Sequence, residues 1–117
     1  MAARVIHFGW DDSFRVPVLR AAGFEVWESR SLDELSLDLQ RDDDVGAVVI
    51  SEDLEVSSEN AAEVIRRSTL APVILFRRTR HEIDRSRFDQ IFDSSILPWV
   101  WLGETAALIA RSRALRE

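Results

Sequence analysis

Ala47-Val48-Val49-Ile50 is an unbroken run of apolar, β-favouring residues, entered through Gly46 and left at Ser51. A strand with one wet face alternates apolar and polar residues, whereas a continuous run suits a strand covered on both faces. Pro72-Val73-Ile74-Leu75-Phe76 is a second such run, with proline at its first position, where a strand tolerates it. Two fully apolar strands in a short chain point to a sheet sandwiched between helices.

The flanking segments supply those helices. Ser57 or Ser58 caps a helix through about Arg67, between the two runs. Upstream, Ser31-Leu32-Asp33-Glu34 has the serine and glutamate of a capping box, with Leu32, Leu35 and Leu39 on one helical face behind it. Asp42, Asp43 and Asp44 form an acidic turn before the central strand. Gly23 ends an earlier helix, and Phe24-Glu25-Val26-Trp27 alternates as a half-buried strand. The first strand covers residues 4–8. Asp11, Asp12 and Ser13 are candidate caps for the helix after it, which ends near Ala22 and holds Pro17 close to its first turn.

Downstream, Thr79-Arg80-His81-Glu82 is another capping box and predicts a fourth helix. The fifth strand is expected within residues 96–101, and Gly103 leads into a final helix from about Glu104 to Arg116. Strand and helix thus alternate five times. This predicts an α/β domain over residues 1–117 with a parallel five-stranded sheet, in which chemistry collects at the carboxyl ends of the strands. The residues to inspect are 9–12, 51–53, 77–79 and those around Pro98.

Composition narrows the chemistry. The chain has 117 residues, enough for one core, and no cysteine, which removes disulfides, thiolate metal sites and cysteine nucleophiles. A net charge of −6 disfavours nucleic-acid binding. The start lacks a basic segment followed by a long apolar run, and no stretch approaches the length of a membrane span, so a cytoplasmic location is expected. All 15 basic residues are arginine.

Several phrases resemble the receiver domain of bacterial two-component response regulators. Leu19-Arg20-Ala21-Ala22-Gly23-Phe24-Glu25-Val26 resembles that family's end of helix 1 and strand 2. Ala71-Pro72-Val73-Ile74-Leu75-Phe76 resembles its fourth strand, and Ala110-Arg111-Ser112-Arg113-Ala114-Leu115 its last helix. The resemblance implies the flavodoxin-like (βα)5 fold with strand order 2-1-3-4-5. It also implies a phosphoacceptor aspartate ending strand 3, acidic residues after strand 1 for magnesium, a hydroxyl residue after strand 4 and a lysine after strand 5.

This chain departs from that set throughout. Ser51 stands at the aspartate position and cannot form an acyl phosphate. Arg77 replaces the hydroxyl residue, and Gly9 and Trp10 fall where the acidic pair should begin. The lysine is missing under any alignment, with Leu97 or Trp101 in its place. Asp11, Asp12, Glu52 and Asp53 are the candidate ligands of a hard cation such as magnesium. Alternatively, Asp11 and Asp12 cap the first helix while Glu52 and Asp53 sit in a solvated loop.

Arg77, with Thr79 beside it, is expected near this acidic mouth, where it either forms fixed salt bridges in place of the switchable contacts or joins Arg78 and Arg80 on a solvated face. His7 reads as a core or edge residue and His81 as an exposed one. Neither shares a motif with a serine and an acid, and the isolated glycines form no phosphate loop.

The segment Trp99-Val100-Trp101-Leu102 is rich in apolar and aromatic residues, a composition that anchors interfaces or plugs a core. The resemblance implies a partner or homodimer contact on the helix 4, strand 5, helix 5 face. The expected function is therefore a non-phosphorylatable, non-enzymatic interaction module in bacterial signalling, without cofactor, passing its output through another chain. The alternative is a divergent active receiver, with Asp53 as phosphoacceptor and magnesium held by Asp11 and Asp12.

Overall fold

Side chains of a strand alternate between its faces, so a sheet covered on both sides needs two separate cores. The computed structural model, which describes residues 3–41, 44–53 and 55–116, has both. The chain runs β1 (Arg4–Phe8), α1 (Arg15–Ala21), β2 (Glu25–Ser29), α2 (Leu32–Arg41), β3 (Val45–Ser51), α3 (Ser58–Ser68) and β4 (Val73–Arg77). It ends with a single 3-10 turn (Arg85–Arg87), β5 (Gln90–Asp93) and α4 (Pro98–Arg116). All strands are parallel, in the order β2-β1-β3-β4-β5. This is the flavodoxin-like sheet expected of the chain. Of the expected acidic turn, Asp42 and Asp43 lie outside the described residues.

Every residue of β3 is buried, as its unbroken apolar run requires. Val48 and Ile50 face α2 and α3 together with Ile6, Phe8 and Leu75. Ala47 and Val49 face α1 and α4 together with Val5, Ile74 and Phe76. By the same alternation His7 and Ser51 fall on the α1 and α4 side, at the carboxyl ends of β1 and β3. Gly9 continues β1 with φ at +98°. A Cβ there would lie 2.9 Å from the Ser51 carbonyl oxygen, so only glycine lets the two strand ends approach this closely.

Three elements differ from expectation. No fourth helix forms after Thr79-Arg80-His81-Glu82, because the following apolar residues, Ile83 and Phe88, are five apart and make no helical stripe. They pack instead as a loop over the α2 and α3 core. Asp84 accepts a hydrogen bond from the Ser86 amide (3.1 Å) and holds the chain in the 3-10 turn.

The fifth strand is Gln90–Asp93 rather than part of residues 96–101, and the last helix begins at Pro98 rather than near Glu104. Proline is favoured at a first helical position, and Trp101, Thr105 and Ile109 recur every four residues as the buried stripe. The position after the fifth strand is consequently Ser94, not Leu97 or Trp101. Trp101 is buried edge-on against Phe76, with ring centroids 5.5 Å apart. It is a core residue, not part of an exposed interface with Trp99 and Val100.

Candidate functional site

Three strands end side by side beneath the start of α1. They present His7 from β1, Ser51 from β3 and Phe76 from β4, and Ser51 and Phe76 are register partners. Arg15, the first residue of α1, lies over all three. On a helix, residues 15, 16 and 19 share a face, and Val16 and Leu19 carry that face into the core. Arg15 is drawn in with them until its side chain is 1% exposed.

A buried cation needs partners, and Arg15 finds a set of them. Its Nη2 donates to Ser51 Oγ at 2.7 Å and to Asp12 Oδ1 at 3.0 Å. Its Nε donates to His7 Nε2 at 3.3 Å, and the guanidinium stacks 4.5 Å from the centre of the Phe76 ring. Nη1 is buried without a hydrogen-bond partner among the described residues. Burial, and after it the Arg15 charge, lowers the His7 pKa to about 4, so at neutral pH the imidazole is uncharged and offers a lone pair to Arg15.

The acidic residues are each engaged within the protein. Asp11 accepts the amides of Arg15 (2.8 Å), Val16 (2.9 Å) and Ser13 (3.4 Å), which are donors at the start of α1. Burial pulls its pKa upward, but these amides and His7 together hold it below the ordinary carboxylate value. Asp12 is shared between two arginines, buried Arg15 and half-exposed Arg78, whose Nε lies 3.2 Å from Oδ2.

Glu52 accepts the amides of Arg78 at 2.7 Å and Thr79 at 2.6 Å, which fastens the loop after β4 to the end of β3. Burial again pulls upward, yet these amides, with Arg77 behind them, keep Glu52 below its ordinary pKa. Arg77 ends β4. Its Nε is 3.9 Å from Glu52 Oε2, and its Nη2 donates to the His81 carbonyl. Asp53 is exposed and accepts the Glu55 amide at 2.8 Å in a local turn.

Asp11 and Asp12 therefore stand on one side of the mouth, and Glu52 and Asp53 on the other. Among the described residues no group of three or more His, Asp or Glu side chains comes close enough to hold a metal ion. Of the four carboxylates, Arg77 meets only Glu52.

Arg15 was not singled out by sequence reasoning, although a signal existed. An arginine on the same helical face as Val16 and Leu19 must be buried or break the stripe, and a buried arginine must be paired. At the other flagged segment, Trp99 is 71% exposed and Val100 39%, beside Leu97 at 50%, while Leu102 packs partly against the α1 and α4 core.

The chain has the fold of response-regulator receiver domains. The chemotaxis response regulator CheY4 of Vibrio cholerae superposes with a TM-score of 0.75 over 92% of this chain and 99% of its own, at 12% identity. The receiver domain of the TMAO respiratory response regulator TorR gives 0.78 over 93% and 98%, at 14% identity. The N-terminal domain of a response regulator/sensory box/GGDEF protein from Carboxydothermus hydrogenoformans gives 0.78 over 97% and 99%, at 10% identity. No protein-family model and no curated protein sequence matches the chain. Among the described residues no helix is long and apolar enough to cross a membrane.

Proposed function

We propose that the chain is a non-phosphorylatable receiver-like module of bacterial two-component signalling, acting through protein contacts rather than catalysis and working without a cofactor. The observation that carries this reading is the Arg15 guanidinium, seated against Ser51 at the strand end where receivers phosphorylate an aspartate. A fixed, buried cation there takes the volume and the electrostatic role that a divalent ion and a lysine share in a switchable site, and it cannot leave. Ser51 supports the same reading because an acyl phosphate requires a carboxylate. A cytoplasmic location goes with it.

The contact surface in this reading is the start of α4, where Leu97, Trp99 and Val100 are exposed beside β5. Receivers place a fourth helix next to that surface. Here the segment is a loop, so a partner would meet the final helix and the edge strand.

The test is intact-mass spectrometry after incubation with magnesium and acetyl phosphate, together with a beryllofluoride titration. No adduct and no binding are expected. A stable phosphoryl group on Asp53 overturns the reading and establishes the alternative, a divergent active receiver with magnesium held by Asp11 and Asp12.

A further inference from the structure

In a parallel α/β sheet the helices run back against the strands, so helix carboxyl ends gather at the strand amino ends. At that end the last turns of α3 and α4 line a groove of about 660 Å³. Arg66 and Arg67 there are already paired, with Asp89 and Glu63. Arg116 in the same groove and Arg111 in the adjoining one have no ion-pair partner among the described residues. Leu70 and Leu115 stand between them, 77% and 89% exposed. Cations at helix carboxyl ends are locally favourable, but that benefit does not require two exposed leucines among them.

The opposite end carries the complement. Beyond the Arg15 cluster, a second groove of about 350 Å³ is lined by Asp53, Glu55, Glu59 and Glu82, with half-buried Val56 and Ile83 on its walls. The carboxylates of Glu55, Glu59 and Glu82 have no ion-pair partner among the described residues. Nearby basic residues are engaged elsewhere: Arg78 pairs with Asp12, and Arg77 stands beside Glu52.

We infer that the basic, leucine-bearing groove receives the acidic groove of a second copy of this chain, so that the molecules associate head to tail. Unpaired arginines meet unpaired carboxylates, and Leu70 and Leu115 meet Val56 and Ile83. The two surfaces belong to different ends of the molecule, so the contact is heterologous and does not close after two copies. It is separate from the exposed start of α4, and it holds whether or not Asp53 accepts phosphate. Each groove is small beside a standard interface, so the association is weak and concentration-dependent.

Sedimentation velocity over a concentration series tests this with three proteins. Wild type is expected to gain mass past the dimer as concentration rises. Arg111→Ala/Arg116→Ala and Glu55→Ala/Glu82→Ala change exposed side chains only, and each alone is expected to stay monomeric with an unchanged circular dichroism spectrum. An equimolar mixture of the two is expected to stop at a heterodimer, because each variant keeps one intact end. A wild type that stays monomeric, a wild type that stops at a dimer, or variants that assemble like wild type would each overturn the inference. A monomeric wild type that binds an acidic, leucine-containing peptide through Arg111 and Arg116 overturns it in favour of a foreign segment.

Discussion

The two sides of the mouth use the same residue type to opposite effect. On the β1 and β3 side, Arg15 is 1% exposed, donates to Ser51, His7 and Asp12, and lies over an aromatic ring. On the β4 side, Arg77 is 14% exposed, stands 3.9 Å from Glu52 and otherwise reaches a loop carbonyl. Glu52 does not depend on it, since two backbone amides already hold that carboxylate. A charge shapes its surroundings when burial leaves it no water to fall back on, and Arg15 meets that condition more fully than Arg77.

The sharpest way to break the contrast is Arg15→Ala. Losing one member of a buried charged network costs about 3–5 kcal/mol, and Asp12, partly exposed and still held by Arg78, brings the expected loss to about 3–4 kcal/mol in urea unfolding. Arg15→Met is expected to recover much of this, because it fills the space while removing a guanidinium whose Nη1 has no hydrogen-bond partner among the described residues. If Arg15→Ala costs no more than Arg77→Ala, the contrast between the two sides collapses.

Next in size is the pH dependence of His7. Its pKa is lowered from 6.5 to about 4 in the fold. Between those values the unfolded chain binds a proton that the folded chain does not, so each drop in pH favours unfolding. The contribution is whole above about pH 6.5 and is lost as pH falls toward 4, roughly 3 kcal/mol in all. Asp11 and Glu52, held below their ordinary values, add their own losses at lower pH. His7→Gln keeps an acceptor for Arg15 and is expected to flatten the stability profile between pH 6.5 and 4. An unchanged slope means that the imidazole is not what titrates.

The smallest effects lie on the β4 side. Glu52→Ala strips two amides of their acceptor and is expected to cost about 1–3 kcal/mol. Arg77→Ala is expected to cost less than Arg15→Ala, because Glu52 keeps its two backbone amides, and to leave the loop after β4 unchanged in hydrogen exchange. A loop that exchanges faster in Arg77→Ala than in Glu52→Ala reverses the order and makes Arg77 the fastener.

The fold was legible where hydrophobic runs were long. Val45–Ser51 and Val73–Arg77 are strands because nothing polar interrupts them, and the Ser31 capping box opens α2 as its spacing implies. Legibility failed after β4, where a capping box stood without an apolar stripe behind it. Cap residues satisfy the amides of a helix that already has a reason to exist, and Ile83 and Phe88 supply none. It failed again at Pro98-Trp99-Val100-Trp101, whose density of large apolar residues resembled a strand, although the four-residue recurrence from Trp101 through Thr105 to Ile109 was already present.

By itself the sequence determined the alternation of strand and helix as far as β4, the want of any lysine, and Ser51 at the end of the central strand. These follow from residue identity and from neighbours along the chain, which no folding can alter. The tertiary structure alone decided that Arg15, rather than Arg77, is seated over Ser51 at the carboxyl end of the central strand. Helical periodicity states which face Arg15 shares with Val16 and Leu19, but the strand ends beneath that face depend on the sheet order. That order brings together β1, β3 and β4, whose His7, Ser51 and Phe76 are distant in sequence and meet only when the sheet has formed.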